Sequence, residues 1–106
     1  MYRQGDVLLA PVGEAPEGLR DPVVPRDDQG RVILALGEAT GHAHAIRDPW
    51  VTMTEHPTTK VRHLHVVGKP TALLHEEHAP ITLPPGVYRV GYQREYSPDE
   101  IRRVAD

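Results

Sequence analysis

The sequence predicts a mainly β fold, a small single-domain β-barrel or sandwich spanning residues 1–106 with one short C-terminal helix. Three observations predict it. Short apolar runs, many alternating or β-branched, recur along the chain at the spacing of an all-β domain. Turn-forming residues separate them, with 9 glycines and 11 prolines in 106 residues. A helix-like pattern is confined to the end of the chain.

The elements follow in order. "DVLLAPV" (Asp6–Val12) reads as a strand stopped by "GEAPEG". "RVILALG" (Arg31–Gly37) follows the turn-rich "PRDDQG", and "HAHAI" (His42–Ile46) alternates small and polar residues. "WVTMTEH" (Trp50–His56) and "KVRHLHVV" (Lys60–Val67) read as a hairpin around "PTT". "TALLH" (Thr71–His75) is a short strand, "APITLPPG" a stiff connection, and "VYRVGYQREY" (Val87–Tyr96) the longest β-like run. In that run Tyr88, Val90 and Tyr92 share one face and Arg89, Gly91 and Gln93 the other. Finally "SPDEIRRVAD" has Ser97 as N-cap, Pro98 at the first helical position and Glu100 completing a capping box. Ile101 and Val104 would face the body of the protein.

Composition narrows the function. A chain of 106 residues suits one domain. The absence of cysteine removes disulfides, Cys-containing zinc sites and thiol catalysis. A net charge of −3 supplies no overall basic field for nucleic acid. No apolar run approaches the roughly 20 residues of a membrane helix, and the N-terminus lacks a signal-peptide pattern. The expectation is a soluble cytoplasmic protein with no membrane partner.

The distinctive feature is histidine, at positions 42, 44, 56, 63, 65, 75 and 78. On a strand, His42 and His44 project from one face about 6.6 Å apart. Two imidazoles so placed can converge on one ion at about 2.0–2.1 Å. Gly41 allows close approach of the backbone to a ligand or strand, and Ala43 and Ala45 keep the flanks small. "HEEH" offers a second pair. If strand geometry persists, His75 and Glu77 share a face; if the chain turns at the glutamates, His75 and His78 do. The set His42, His44, His75 and His78, with Glu38 or Glu77 as carboxylate, suits a divalent transition metal, zinc first and iron, manganese or nickel otherwise. Metal-free His/Glu acid–base chemistry and purely structural histidines are the alternatives. His63 and His65 also have HxH spacing. Leu64 and Val66 take the core face there, which leaves the histidines on a half-exposed outer face. His56, before Pro57, reads as solvated. Arg94, near the end of the last β-like run, is a candidate for binding a phosphate or carboxylate in bidentate fashion.

"GHAHAI" followed by "PPG" resembles the cupin pattern, a metal-binding β-barrel whose first motif carries HxH and then an acidic residue. His42 and His44 match the HxH, and Asp48 stands where that family has a glutamate. The second cupin motif would place a ligand where this chain has Arg89, so His75 or His78 would have to replace it. A resemblance over almost the whole chain, through "QGDVLL", "GEATGHAHAI", "HEEHAPITLPPGVYRV" and "QREYSPDEIRRVAD", is to a group of small uncharacterised bacterial and phage-encoded proteins. It implies a self-contained domain in which the "GHAH" and "HEEH" segments belong to one feature.

Three functions compete. The first is a small metal-dependent hydrolase with His42, His44, Glu77 and Arg94 as the reacting residues. Glu77 or Glu38 acts as base on a small polar or phosphorylated substrate. The second needs no cofactor: two histidines cleave RNA by acid–base chemistry, with Arg94 or Lys60 on the phosphate. A basic patch for RNA would need Arg62, Arg89, Arg94, Arg102 and Arg103 to cluster. The third is a non-catalytic, metal-stabilised binding or assembly module, with exposed edge strands pairing two copies into a homodimer.

Overall fold

The computed structural model describes residues 1–13, 20–37 and 39–93. Nine strands account for the regular structure of these residues: β1 (Tyr2–Gln4), β2 (Val7–Pro11), β3 (Val32–Leu36), β4 (Ala43–Ile46), β5 (Val51–Glu55), β6 (Arg62–Val66), β7 (Thr71–Leu73), β8 (Ile81–Leu83) and β9 (Gly86–Tyr92). The capped segment from Ser97 onward, and the candidates Glu38 and Arg94, lie outside the described residues. No described helix is long and apolar enough to cross a membrane.

One antiparallel sheet has the order β1-β2-β9-β6-β5. Alternation builds its core face. Val7 and Leu9 of β2, Tyr88 and Val90 of β9, Leu64 and Val66 of β6, and Val51 and Met53 of β5 are all buried. Two hairpins, β3–β4 and β7–β8, form the opposing layer. They are joined by reciprocal backbone hydrogen bonds between Ala45 and Leu74, each 2.9 Å. Val32, Leu34, Ile46, Leu73 and Leu83 come from this layer to complete one core. Each fully buried Leu or Val side chain stabilises by about 1.5–3 kcal/mol, so packing between layers holds strands too short to persist alone. The result is mainly β, and the sheets are open, which rules out the closed-barrel alternative.

Two strands lie where the sequence showed none. β1 pairs with β2 across the two-residue turn Gly5–Asp6, with Gly5 at φ 57°. A Gly-Asp pair is itself a hairpin signal, though three strand residues are too few to show alternation. β8 lies inside "APITLPPG", between its prolines.

The second face of the large sheet also differs from expectation. His63 and His65 occupy the face opposite Leu64 and Val66, as alternation requires, but both are buried at 5% exposure. Strand β6 is internal, flanked by β5 and β9, and His65 Nε2 lies 3.0 Å from Thr54 Oγ1 on β5. Burial lowers the pKa of His65, with a smaller contribution from His63. At the hairpin tip His56 is structural too, since its Nδ1 accepts the backbone N–H groups of Thr58 and Thr59 at 3.1 Å. Beside β5, Val24 N–H donates to Met53 O and Glu55 N–H to Pro22 O. The edge of β5 is thereby covered by residues 22–24, which removes it as a free edge for pairing.

Candidate metal centre

The β4–β7 bridge assembles the site. Ala45 faces Leu74 in antiparallel register. Continuing that register puts His44 opposite His75, Ala43 opposite Glu76 and His42 opposite Glu77. The side chains follow it. The His44 and His75 rings have centroids 4.2 Å apart. Ala43 N–H donates to Glu76 Oε1 at 2.9 Å, and His42 Nδ1 lies 3.0 Å from Glu77 Oε1. The chain then bends over Glu76–His78, which brings His78 back within 4.6 Å of His75 and 5.7 Å of His44, centroid to centroid. The "GHAH" and "HEEH" segments therefore meet, and of the two geometries open for "HEEH" the turn is realised.

Ala43 and Ala45 have a different job from the one expected. Both are buried, and their small side chains let β7 and the Glu76 loop lie directly against β4. Gly41 likewise approaches nothing: a Cβ there would meet no atom within 4 Å, and its φ of 72° serves the β3–β4 turn. Close approach is made by Gly5. A Cβ on Gly5 would stand 2.9 Å from His78 Nε2, 3.1 Å from His44 Cε1 and 3.4 Å from His44 Nε2. The hairpin turn thus presses glycine backbone against the space where two ring nitrogens converge.

Gln4 decides which tautomer His44 adopts. Its side chain is buried, and its Nε2 donates to Leu73 O at 2.9 Å and Ala79 O at 3.0 Å. Its Oε1 is therefore the atom 2.8 Å from His44 Nδ1. An amide oxygen only accepts, so His44 carries its proton on Nδ1 and presents a lone pair at Nε2. Metal-binding histidines are commonly held this way, by an acceptor on the far ring nitrogen. Burial, then the neighbouring His75 and His78, push the His44 pKa down to about 4, so the ring is neutral at physiological pH. His75 is held oppositely. Its Nδ1 accepts Glu77 N–H at 3.0 Å, which puts its proton on Nε2.

Ligand-capable atoms of His44, His75 and His78 all lie within 4.8 Å of one another, as do those of His42, His75 and Glu76. Nitrogens on one tetrahedral zinc are about 3.3–3.4 Å apart, which falls inside that limit for either set. In the second set Glu76 already accepts from Ala43 and His42 is held by Glu77. The first set has the freer nitrogens and the Gly5 recess between them. A cavity of about 320 Å³ opens onto the cluster, lined in part by Asp6, His42, His44, His75, Glu77 and Tyr92.

Other candidates stand apart. Asp48 accepts the Thr71 hydroxyl at 2.5 Å and belongs to neither ligand set. Lys60 and Arg62 line a different cavity, where Arg62 pairs with Glu55 at 2.7 Å. Arg89, exposed on β9, lines that same cavity, so Lys60, Arg62 and Arg89 gather there, away from the histidines. Gln4, Gly5, Asp6 and Glu76 carry the site without having been singled out in the sequence. The one local signal among them is the Gly5–Asp6 dipeptide, which marks a hairpin turn.

No curated protein and no solved structure matches the chain. A family model described as a domain of unknown function (DUF8820) matches residues 3–93, a span that includes Gln4, Gly5 and all four clustered histidines. The chain belongs to that family.

Proposed function

We propose that this domain is a small metal-dependent hydrolase acting on a phosphoester or similar small polar substrate. The observation that carries the reading is the convergence of His44, His75 and His78 beside Gly5, with the His44 lone pair aimed by Gln4. His44, His75 and His78 would hold a divalent ion, which would supply activation of a water molecule. His42 is the proton acceptor. Glu77 takes its Nδ1–H, which leaves Nε2 as a base oriented by a carboxylate. His42 would take a proton from the attacking water and return it to the leaving oxygen as the ester bond breaks. The cavity of about 320 Å³ is at the small end of ligand sites, which favours a compact substrate. The reading carries with it a cytoplasmic setting and zinc as the first choice of ion.

The test uses tag-free, zinc-loaded protein and chromogenic phosphomonoesters and phosphodiesters. His44→Ala should lose both metal and turnover. His42→Ala should keep its metal and lose about 100-fold or more in kcat, the usual contribution of a positioned base. Turnover that survives chelation would overturn the metal reading in favour of metal-free acid–base cleavage. Zinc that changes stability or assembly without any turnover would favour the binding-module reading.

A further inference from the structure

Strand β4 has a second face. His42 and His44 lie on one side, so alternation puts Ala43, Ala45 and Arg47 on the other. A groove of about 210 Å³ runs along that side, lined by Ala43, Ala45, Arg47, Arg31, Leu74, and by His75 and Glu76 of the histidine cluster. Val32 pairs with Ile46 and Ile33 with Ala45. One step further in that register, Arg31 stands opposite Arg47. Like charges directly across a ladder destabilise it unless an anion lies between them.

The two arginines are prepared differently. Arg31 is mostly buried and held by Asp27, whose Oδ2 accepts its Nε at 2.8 Å and whose Oδ1 accepts its backbone N–H at 2.7 Å. That bond uses Nε and leaves the terminal guanidinium nitrogens for another acceptor. Arg47 is exposed and makes no ion pair among the described residues. Glu76, the one carboxylate among the described residues lining the groove, is committed through Oε1 to Ala43 N–H. A groove of about 210 Å³ is below the usual 300–1,000 Å³ of a whole-ligand site, so it suits one functional group.

We infer that this groove is an anion subsite in which Arg31 and Arg47 clamp a phosphate group of the molecule processed at the histidine centre. The inference rests on the hydrolase reading for the role of that centre, and it names the substrate class as phosphorylated. Guanidinium pairs match phosphate oxygens in both charge and geometry. His75 lines the groove and belongs to the centre, and Glu76 follows it in the chain, so a group held by the arginines abuts the centre directly.

The experiment titrates chelator-treated protein with inorganic phosphate at constant ionic strength, following backbone amides by NMR. Saturable shifts are expected at Arg47, His75 and Glu76. Arg47→Gln should weaken binding about ten-fold or more, the scale of a charge-assisted hydrogen bond. Arg47→Lys should restore part of it. A His44→Ala/His78→Ala variant should keep phosphate binding while losing zinc, and Arg47→Gln should keep zinc while losing phosphate. The two readings therefore fail separately. Absence of saturable shifts, equal affinity in Arg47→Gln, or a stronger response to acetate than to phosphate would overturn the subsite. So would a loss caused by Lys60→Ala instead, which would move the anion to the cavity under the β5–β6 hairpin.

Discussion

Replacing Gly5 by alanine separates a backbone role from a site role at one position. Gly5 has φ 57°, where an L-residue costs about 1–2 kcal/mol. The added Cβ would also meet His78 Nε2 at 2.9 Å and His44 Cε1 at 3.1 Å. These neighbours respond differently. His78 is exposed and its ring can swing away at little cost. His44 is anchored by Gln4 and can yield only slightly. In metal-free protein, then, Gly5→Ala should lose about 1–2 kcal/mol, mostly strain. Gly68→Ala is the control, with φ 85° and nothing within 4 Å of its Cβ. It should lose a similar amount. Zinc binding should split the pair. With His78 displaced and the recess filled, Gly5→Ala should bind zinc at least about 10–100-fold more weakly, the range seen when even a supporting group is disturbed. Gly68→Ala should bind as wild type. Urea unfolding without metal and competitive zinc calorimetry measure the two quantities. Equal zinc affinity in both variants would refute the claim that an ion sits between His44 Nε2 and His78 Nε2.

Gln4→Leu removes the partner of Leu73 O, Ala79 O and His44 Nδ1 together. Each group left without a partner costs about 1–3 kcal/mol, so urea unfolding should show a loss of at least about 2 kcal/mol; a neutral result would mean Gln4 does not bridge the layers. Acid should weaken the fold through His44. Its folded pKa of about 4 lies below the usual value near 6.5, so the unfolded chain takes the proton first. This contribution is complete above about pH 6.5 and is lost as pH falls to about 4. It amounts to roughly 1–3 kcal/mol after allowance for a partly exposed ring. His44→Gln should flatten stability over that window, and an unchanged profile would contradict the assigned cause. Zinc bound through His75 Nε2 moves the proton to Nδ1, so Nδ1 can no longer accept Glu77 N–H. The Glu77 amide resonance should shift on zinc addition while those of Thr58 and Thr59, held by His56, stay put. A stationary Glu77 amide would exclude coordination through that nitrogen.

The strands whose alternation runs over five residues or more were legible, because burial on one face leaves a period of two that no other structure imitates. β2, β3, β5 and β6 lie within the segments that pattern marks, and β9 begins one residue before its segment. Where burial has no such period the sequence was silent. "RHLHV" alternates correctly, but alternation does not say whether the second face is covered, and His63 and His65 are buried there. The site was legible in half. HxH and HEEH each mark a local pair, and local spacing is enough for that. Their union depends on the Ala45–Leu74 register between segments about thirty residues apart, a long-range pairing that no local pattern encodes. Gln4 and Gly5 depend on it twice over. Their roles exist only once β1 is laid beside the second layer, which is why two unremarkable residues support the most distinctive cluster in the chain.

The most direct measurement is the metal content of tag-free protein after zinc equilibration and gel filtration, for wild type and for His44→Ala/His78→Ala. A single centre built on His44, His75 and His78 predicts one equivalent of zinc per wild-type chain and none in the variant, with the variant still folded. Wild-type protein that emerges without zinc, or a variant that retains its full equivalent, would contradict it.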